Sequence, residues 1–116
     1  MRELEFRAWL KNQKVMRNNV SIHAGTIFTG YAWIPLDGIE LMQYTGLKDK
    51  NDVKIFEGDI VQFDGDEIGI IKYTDGCFEI SADGFVETFY YNRYADEVEV
   101  IGNIYENPEF LEVEDE

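Results

Sequence analysis

Four carboxylates, Asp59, Asp64, Asp66 and Glu67, fall within nine residues, a density that invites a hard cation. A calcium loop needs oxygen ligands at alternate positions, a central glycine and a glutamate at its twelfth position, and this run fails that pattern. Turn formation and solvation account for these side chains. Cys77 is the only cysteine and His23 the only histidine. A nucleophilic thiolate needs a base or a helix N-terminus beside it, and a relay histidine needs a nucleophile or carboxylate; the sequence supplies neither partner. The ten glycines fall singly at turns and bends, so there is no phosphate-cradling loop. The expectation is a protein without catalytic residues, cofactor or metal.

The elements that would carry these residues are strands. Hydrophobic content is 45% and aromatic content 15%, which excludes a disordered chain and favours strands over helices. The stretch from Phe56 to Ile80 reads as a small barrel being laid down: a tight turn at Glu57-Gly58-Asp59, a strand with Val61 and Phe63 on one face, and a polar turn at Asp64 to Glu67. A strand follows, with Ile68 and Ile70 facing inward and Gly69 leaving room for a close neighbour. Thr74-Asp75-Gly76 signals a type I′ hairpin turn, Phe78 and Ile80 continue the core, and a second Asp-Gly turn at Asp83-Gly84 leads into Phe85 to Tyr90. Curling such a meander removes its edges.

Upstream, Leu4, Phe6 and Ala8 alternate with Glu5, Arg7 and Trp9, the period of a half-buried strand, and Lys11 to Lys14 turn it back through Val15-Met16. From Asn18 to Leu36, Gly25, Gly30 and Pro35 interrupt any long element, and short irregular strands and loops are expected, with His23 a plain loop or surface residue. Leu41 to Tyr44 is a short strand, and the Lys48-to-Asp52 run is the charged tip of a hairpin. Downstream, Val98 to Tyr105 reads as a closing strand with a glycine bulge. Asn107-Pro108-Glu109 then opens a helical turn, with Asn107 as N-cap and Phe110 and Leu111 docked on the barrel, before an acidic tail from Glu112 to Glu116.

The whole is read as one domain. An irregular N-terminal β subdomain spans 1–50, a small SH3-like meander barrel 51–107, and a helical turn with its tail 108–116. One cysteine permits no internal disulfide and fits a reducing, cytoplasmic compartment. The charged start Met1 to Phe6 is unlike a signal peptide, and no 18 apolar residues run together, so no membrane partner is expected.

Charge is unevenly spread. The net charge is −14; residues 1–54 carry eight Lys/Arg against six Asp/Glu, whereas residues 55–116 carry two against eighteen. The second half therefore repels phosphate backbones, which argues against direct nucleic-acid binding. The basic residues Arg2, Arg7, Lys11, Lys14 and Arg17 are its only support, and they are read as solvated surface.

Four blocks make the sequence familiar: Phe6-Arg7-Ala8-Trp9, Leu41 to Asn51, Ile55 to Val61, and Glu99 to Glu109. In order and content they closely resemble the YopX family, small proteins encoded by bacteriophages and prophages, mostly of Gram-positive bacteria. Asp52 stands where the family pattern usually has glycine, and Val20 to Leu36 matches no block. The resemblance implies a mostly β fold with a barrel-like C-terminal part, in a phage-encoded accessory protein, and it carries no catalytic residues over.

Two functional readings remain open beside an enzyme without a motif. One is a non-catalytic module that grips a host or phage protein, or a second copy of itself. Its candidate surface is the aromatic knot Tyr90, Tyr91, Arg93 and Tyr94, together with Asp64, Asp66 and Glu67. The other is a nucleic-acid mimic, in which closely spaced carboxylates imitate a phosphate track and occupy a DNA-handling protein.

Overall fold

A computed structural model describes residues 4–30, 32–63, 65–82, 85–88 and 97–111, with the backbone alone at 85–88. The chain is mostly β, with short 3-10 turns at Leu36–Gly38 and Pro108–Leu111 among these residues. It forms two compact units, 1–44 and 45–116. No helix among the described residues is long and apolar enough to cross a membrane.

In the first unit, β1 (Phe6–Leu10) pairs antiparallel with β2 (Val15–Asn18), as the alternation upstream predicts. On its other side β1 pairs with β6 (Ile39–Lys48) over Phe6↔Gln43 to Leu10↔Ile39. Pairing on both sides makes β1 an interior strand. Ala8 and Leu10 are buried on one of its faces, and on the opposite face Arg7 is buried as well, at 8% exposure. Arg7 is therefore not the solvated cation that its alternation with Glu5 suggests. Leu4, expected on the inner face, is 73% exposed instead, because it precedes the strand and has no ladder to hold it.

The segment between β2 and β6 is more regular than its glycines and proline imply. β3 (Ser21–His23), β4 (Thr26–Phe28) and β5 (Trp33–Pro35) form a three-stranded antiparallel sheet. Ala24 and Gly25, at φ 50° and 82°, make the two-residue turn between β3 and β4. Ile22, Ile27 and Ile34 lie in register across the sheet. Ile27 is fully buried in a cluster with Ala8, Leu10, Val20 and Ile39, against which Ile34 packs. A 3-10 turn at Leu36–Gly38 then leads into β6.

The second unit takes over at Thr45, within β6, whose ten residues extend well past the short strand expected at Leu41 to Tyr44. The end of β6 neighbours β7 (Lys54–Phe56), and the Thr45 hydroxyl donates to the Ile55 carbonyl at 2.8 Å. β8 (Asp59–Phe63), β9 (Glu67–Thr74), β10 (Cys77–Ala82), β11 (Phe85–Thr88) and β12 (Glu99–Asn103) form a five-stranded sheet in the order β11-β10-β9-β8-β12. It curls into a half-barrel. Its core is Ile55, Val61, Ile71, Phe78, Ile80 and Val98.

Three local expectations for this unit hold. Asp75 and Gly76 adopt φ 53° and 83°, as a type I′ turn requires. β8 begins at the Glu57-Gly58 turn, and the register of β12 against β8 shifts between Val100 and Gly102, which is the predicted bulge. The inward face of β9 is the other one, however: Ile71 is fully exposure-free and Gly69 is buried, while Ile68 and Ile70 are half-buried. A Cβ at Gly69 would meet Ile80 Cγ2 at 2.8 Å, so the neighbouring strand's side chain occupies the space. The turn at Asp83-Gly84 and the acidic tail lie outside the described residues.

Candidate interaction surface

Of the residues expected to form a contact surface, Asp64, Tyr90, Tyr91, Arg93 and Tyr94 lie outside the described residues. Asp66 and Glu67 are exposed at the turn into β9, where Glu67 stands opposite Phe63. Among the described residues no group of three or more His, Cys, Asp or Glu is placed to hold a metal ion. Cys77 is exposed at the start of β10, opposite Thr74.

The carboxylates in the motif-like blocks hold backbone together. Asp49 is 6% exposed; its Oδ1 accepts the N–H groups of Asn51 and Val53 at 2.8 and 2.9 Å, and its Oδ2 accepts that of Val100 at 2.9 Å. The Lys50 N–H donates to the Val98 carbonyl at 3.1 Å, so the β6–β7 loop is tied to the chain entering β12. Asp59 is 1% exposed and accepts the Phe56 N–H at 2.7 Å, which closes the Glu57-Gly58 turn. Buried carboxylates survive only when such donors replace water, and these two have them.

The last block has the same character. Asn103 Oδ1 accepts the N–H groups of Tyr105 and Glu106, and its Nδ2 donates to Glu106 Oε1 at 2.8 Å. Asn107 turns back toward the strand: its Oδ1 accepts the Asn103 N–H at 3.2 Å. It is the Asn107 carbonyl, not the side chain, that accepts the Phe110 N–H, so Asn107 is not the side-chain cap that its place before Pro108 suggests. Phe110 is 41% exposed, so the turn Pro108–Leu111 does not bury it.

The lysine cluster of the β6–β7 tip is compensated locally. Lys48 lies 3.7 Å from Asp52 and Lys50 3.9 Å from Glu99, both exposed pairs. In the first unit Lys11 pairs with Glu40 at 3.4 Å. Pairs of this kind contribute little to stability.

The surface that sequence reasoning missed is the β3–β4–β5 sheet. Ser21, Phe28 and Trp33 share one row of its outer face, and His23, Thr26 and Pro35 share the next. The Trp33 ring lies 4.9 Å from that of Phe28 and 6.1 Å, edge-on, from that of His23. Thr26 donates its hydroxyl to the His23 carbonyl at 2.8 Å. Trp33 is nevertheless 55% exposed, with Ile22 at 43% and Leu36 at 36%. The nineteen residues from Asn18 to Leu36 contain no Asp, Glu, Lys or Arg, in a chain with 34 such residues in 116. That gap in charge, around three aromatic residues and a histidine, is the signal that could have marked the surface.

The comparisons with known proteins agree with the four blocks. No curated protein matches the chain. Among solved structures, the crystal structure of protein EF1440 from Enterococcus faecalis is similar at a TM-score of 0.81 and 32% identity, covering 97% of this chain and 100% of that one. The crystal structure of protein yopX from Bacillus subtilis is similar at a TM-score of 0.66 and 22% identity, covering 95% and 97%; at that identity the likeness shows the fold. The model of the YopX protein family matches residues 5–112, and the chain belongs to that family.

Proposed function

We propose that the protein is a non-catalytic, cytoplasmic accessory module of a phage or prophage that works by binding a host or phage protein, or another copy of itself. The observation that carries this reading is the exposure of Trp33, beside Phe28 and His23, on a sheet face without formal charge. Exposed aromatic rings held by neighbours bind with little loss of side-chain freedom, which is why they anchor protein contacts. The buried carboxylates at Asp49 and Asp59 support the same reading, since their oxygens bond backbone N–H groups.

A second reading has its own observation. Residues 45–116 carry twenty Asp/Glu against five Lys/Arg, a surface that could occupy the basic groove of a DNA-handling protein. Affinity capture from lysates of infected and uninfected cells, eluted by a salt gradient and repeated with competing duplex DNA, separates the two. The binding-module reading expects a partner that resists DNA and is lost from Trp33→Ala. A DNA-processing protein released by moderate salt and by DNA would replace it with mimicry. Recovery of nothing, from a strictly monomeric protein, would remove both.

A further inference from the structure

Among the described residues the uncharged sheet has an unpaired edge as well as an apolar face. β3 lies at the end of the order β3-β4-β5, and all three of its residues are exposed. The two-residue Ala24-Gly25 turn makes His23 and Thr26 the hydrogen-bonded pair, so the alternation of an antiparallel ladder turns the N–H and C=O of Ile22 away from β4. Natural edges of this kind are normally blunted by a charge, a proline or a bulge. The other edge strand, β5, carries Pro35; Ser21, Ile22 and His23 carry none of these.

Charge selects the occupant. A basic partner would be drawn to residues 45–116, whose balance is fifteen negative charges, and nucleic acid would be repelled by them. A second copy of this chain meets the opposite condition: its own acidic residues oppose approach wherever they face their counterparts. The nineteen-residue stretch without charge is where two copies can meet without that opposition. We infer that the edge of β3, with the adjoining Ile22 and the Trp33–Phe28–His23 face, is the surface through which two copies of this protein associate, each adding three strands to one six-stranded sheet.

The pairing is self-complementary about a two-fold axis, as a closed dimer requires. With the axis at Ile22, the two Ile22 residues become cross-strand neighbours on one face, and Ser21 of each copy faces His23 of the other. Three-residue strands cover far less than the roughly 800 Å² per partner of a stable complex, so the dimer is a weak one with a dissociation constant on the order of micromolar or above.

The inference rests on the binding-module reading, and sedimentation of the full chain from low to high micromolar concentration tests it separately. Wild type is expected to shift from monomer to dimer. Trp33→Lys and Ile22→Lys, both at exposed positions, should each weaken association by about tenfold or more while melting at the wild-type temperature. Wild type remaining monomeric throughout, or both variants dimerising as wild type does, overturns it. A monomer that still retains a foreign protein from lysate also overturns this inference while leaving the binding-module reading intact.

Discussion

Asp49 Oδ2 accepts the backbone N–H of Val100 at 2.9 Å, joining residues 51 positions apart. With its other oxygen holding Asn51 and Val53, one buried carboxylate satisfies three N–H groups. Replacing it with alanine leaves those donors without their acceptor, so Asp49→Ala should destabilise by about 3 kcal/mol in urea unfolding. Asp49→Asn should lose less, because its amide oxygen can still serve one side of the site.

Gly102 has no room for a side chain because Asn107 is folded over it. A Cβ there would lie 2.5 Å from Asn107 Oδ1 and 2.9 Å from its Cβ. Gly102→Ala should therefore cost about 2 kcal/mol, and less in an Asn107→Gly background, giving a coupling that a double-mutant cycle measures.

Gly69→Ala should cost about 1–3 kcal/mol through its 2.8 Å approach to Ile80 Cγ2. Unfolding in urea checks the loss.

Two turn positions should respond to glycine differently. Ala24 adopts φ 50°, which strains an alanine, so Ala24→Gly should raise stability by about 0.5–1 kcal/mol. Asp52, at φ 69°, already tolerates that region, and its pair with Lys48 is exposed; Asp52→Gly should change stability by less than about 0.5 kcal/mol. Thermal melts of the two variants make the comparison.

How legible each part was follows from what local pattern can specify. The Asp75-Gly76 hairpin was readable because its left-handed backbone selects residue types, and the Gly102 bulge because a glycine inside a strand pattern marks a close approach, here by Asn107. The face of β9 was not, since Ile68, Ile70 and Ile71 place apolar side chains on both sides, and only the position of Ile80 decides that Gly69 turns inward. The β3–β5 sheet was legible only as short irregular strands, because three-residue strands are too short to show a period, and because Ala24 rather than an Asn or Asp takes the left-handed turn position. Arg7 was misplaced because alternation puts it on the face opposite Ala8 and Leu10 but does not report that this face, too, is covered at Arg7. Most of the predicted contact surface, Tyr90 to Tyr94 with Asp64, lies outside the described residues, and the one that emerged is in the segment with no family block.

Hydrogen–deuterium exchange of peptides spanning Ser21 to Leu36, measured with concentration and with any captured partner, addresses the central claim of a protein-binding module most directly. Slower exchange there on association, with Asp66, Glu67 and their neighbours unchanged, is the predicted result. Protection confined to the acidic residues, with Ser21 to Leu36 exchanging as in the isolated chain, would contradict it.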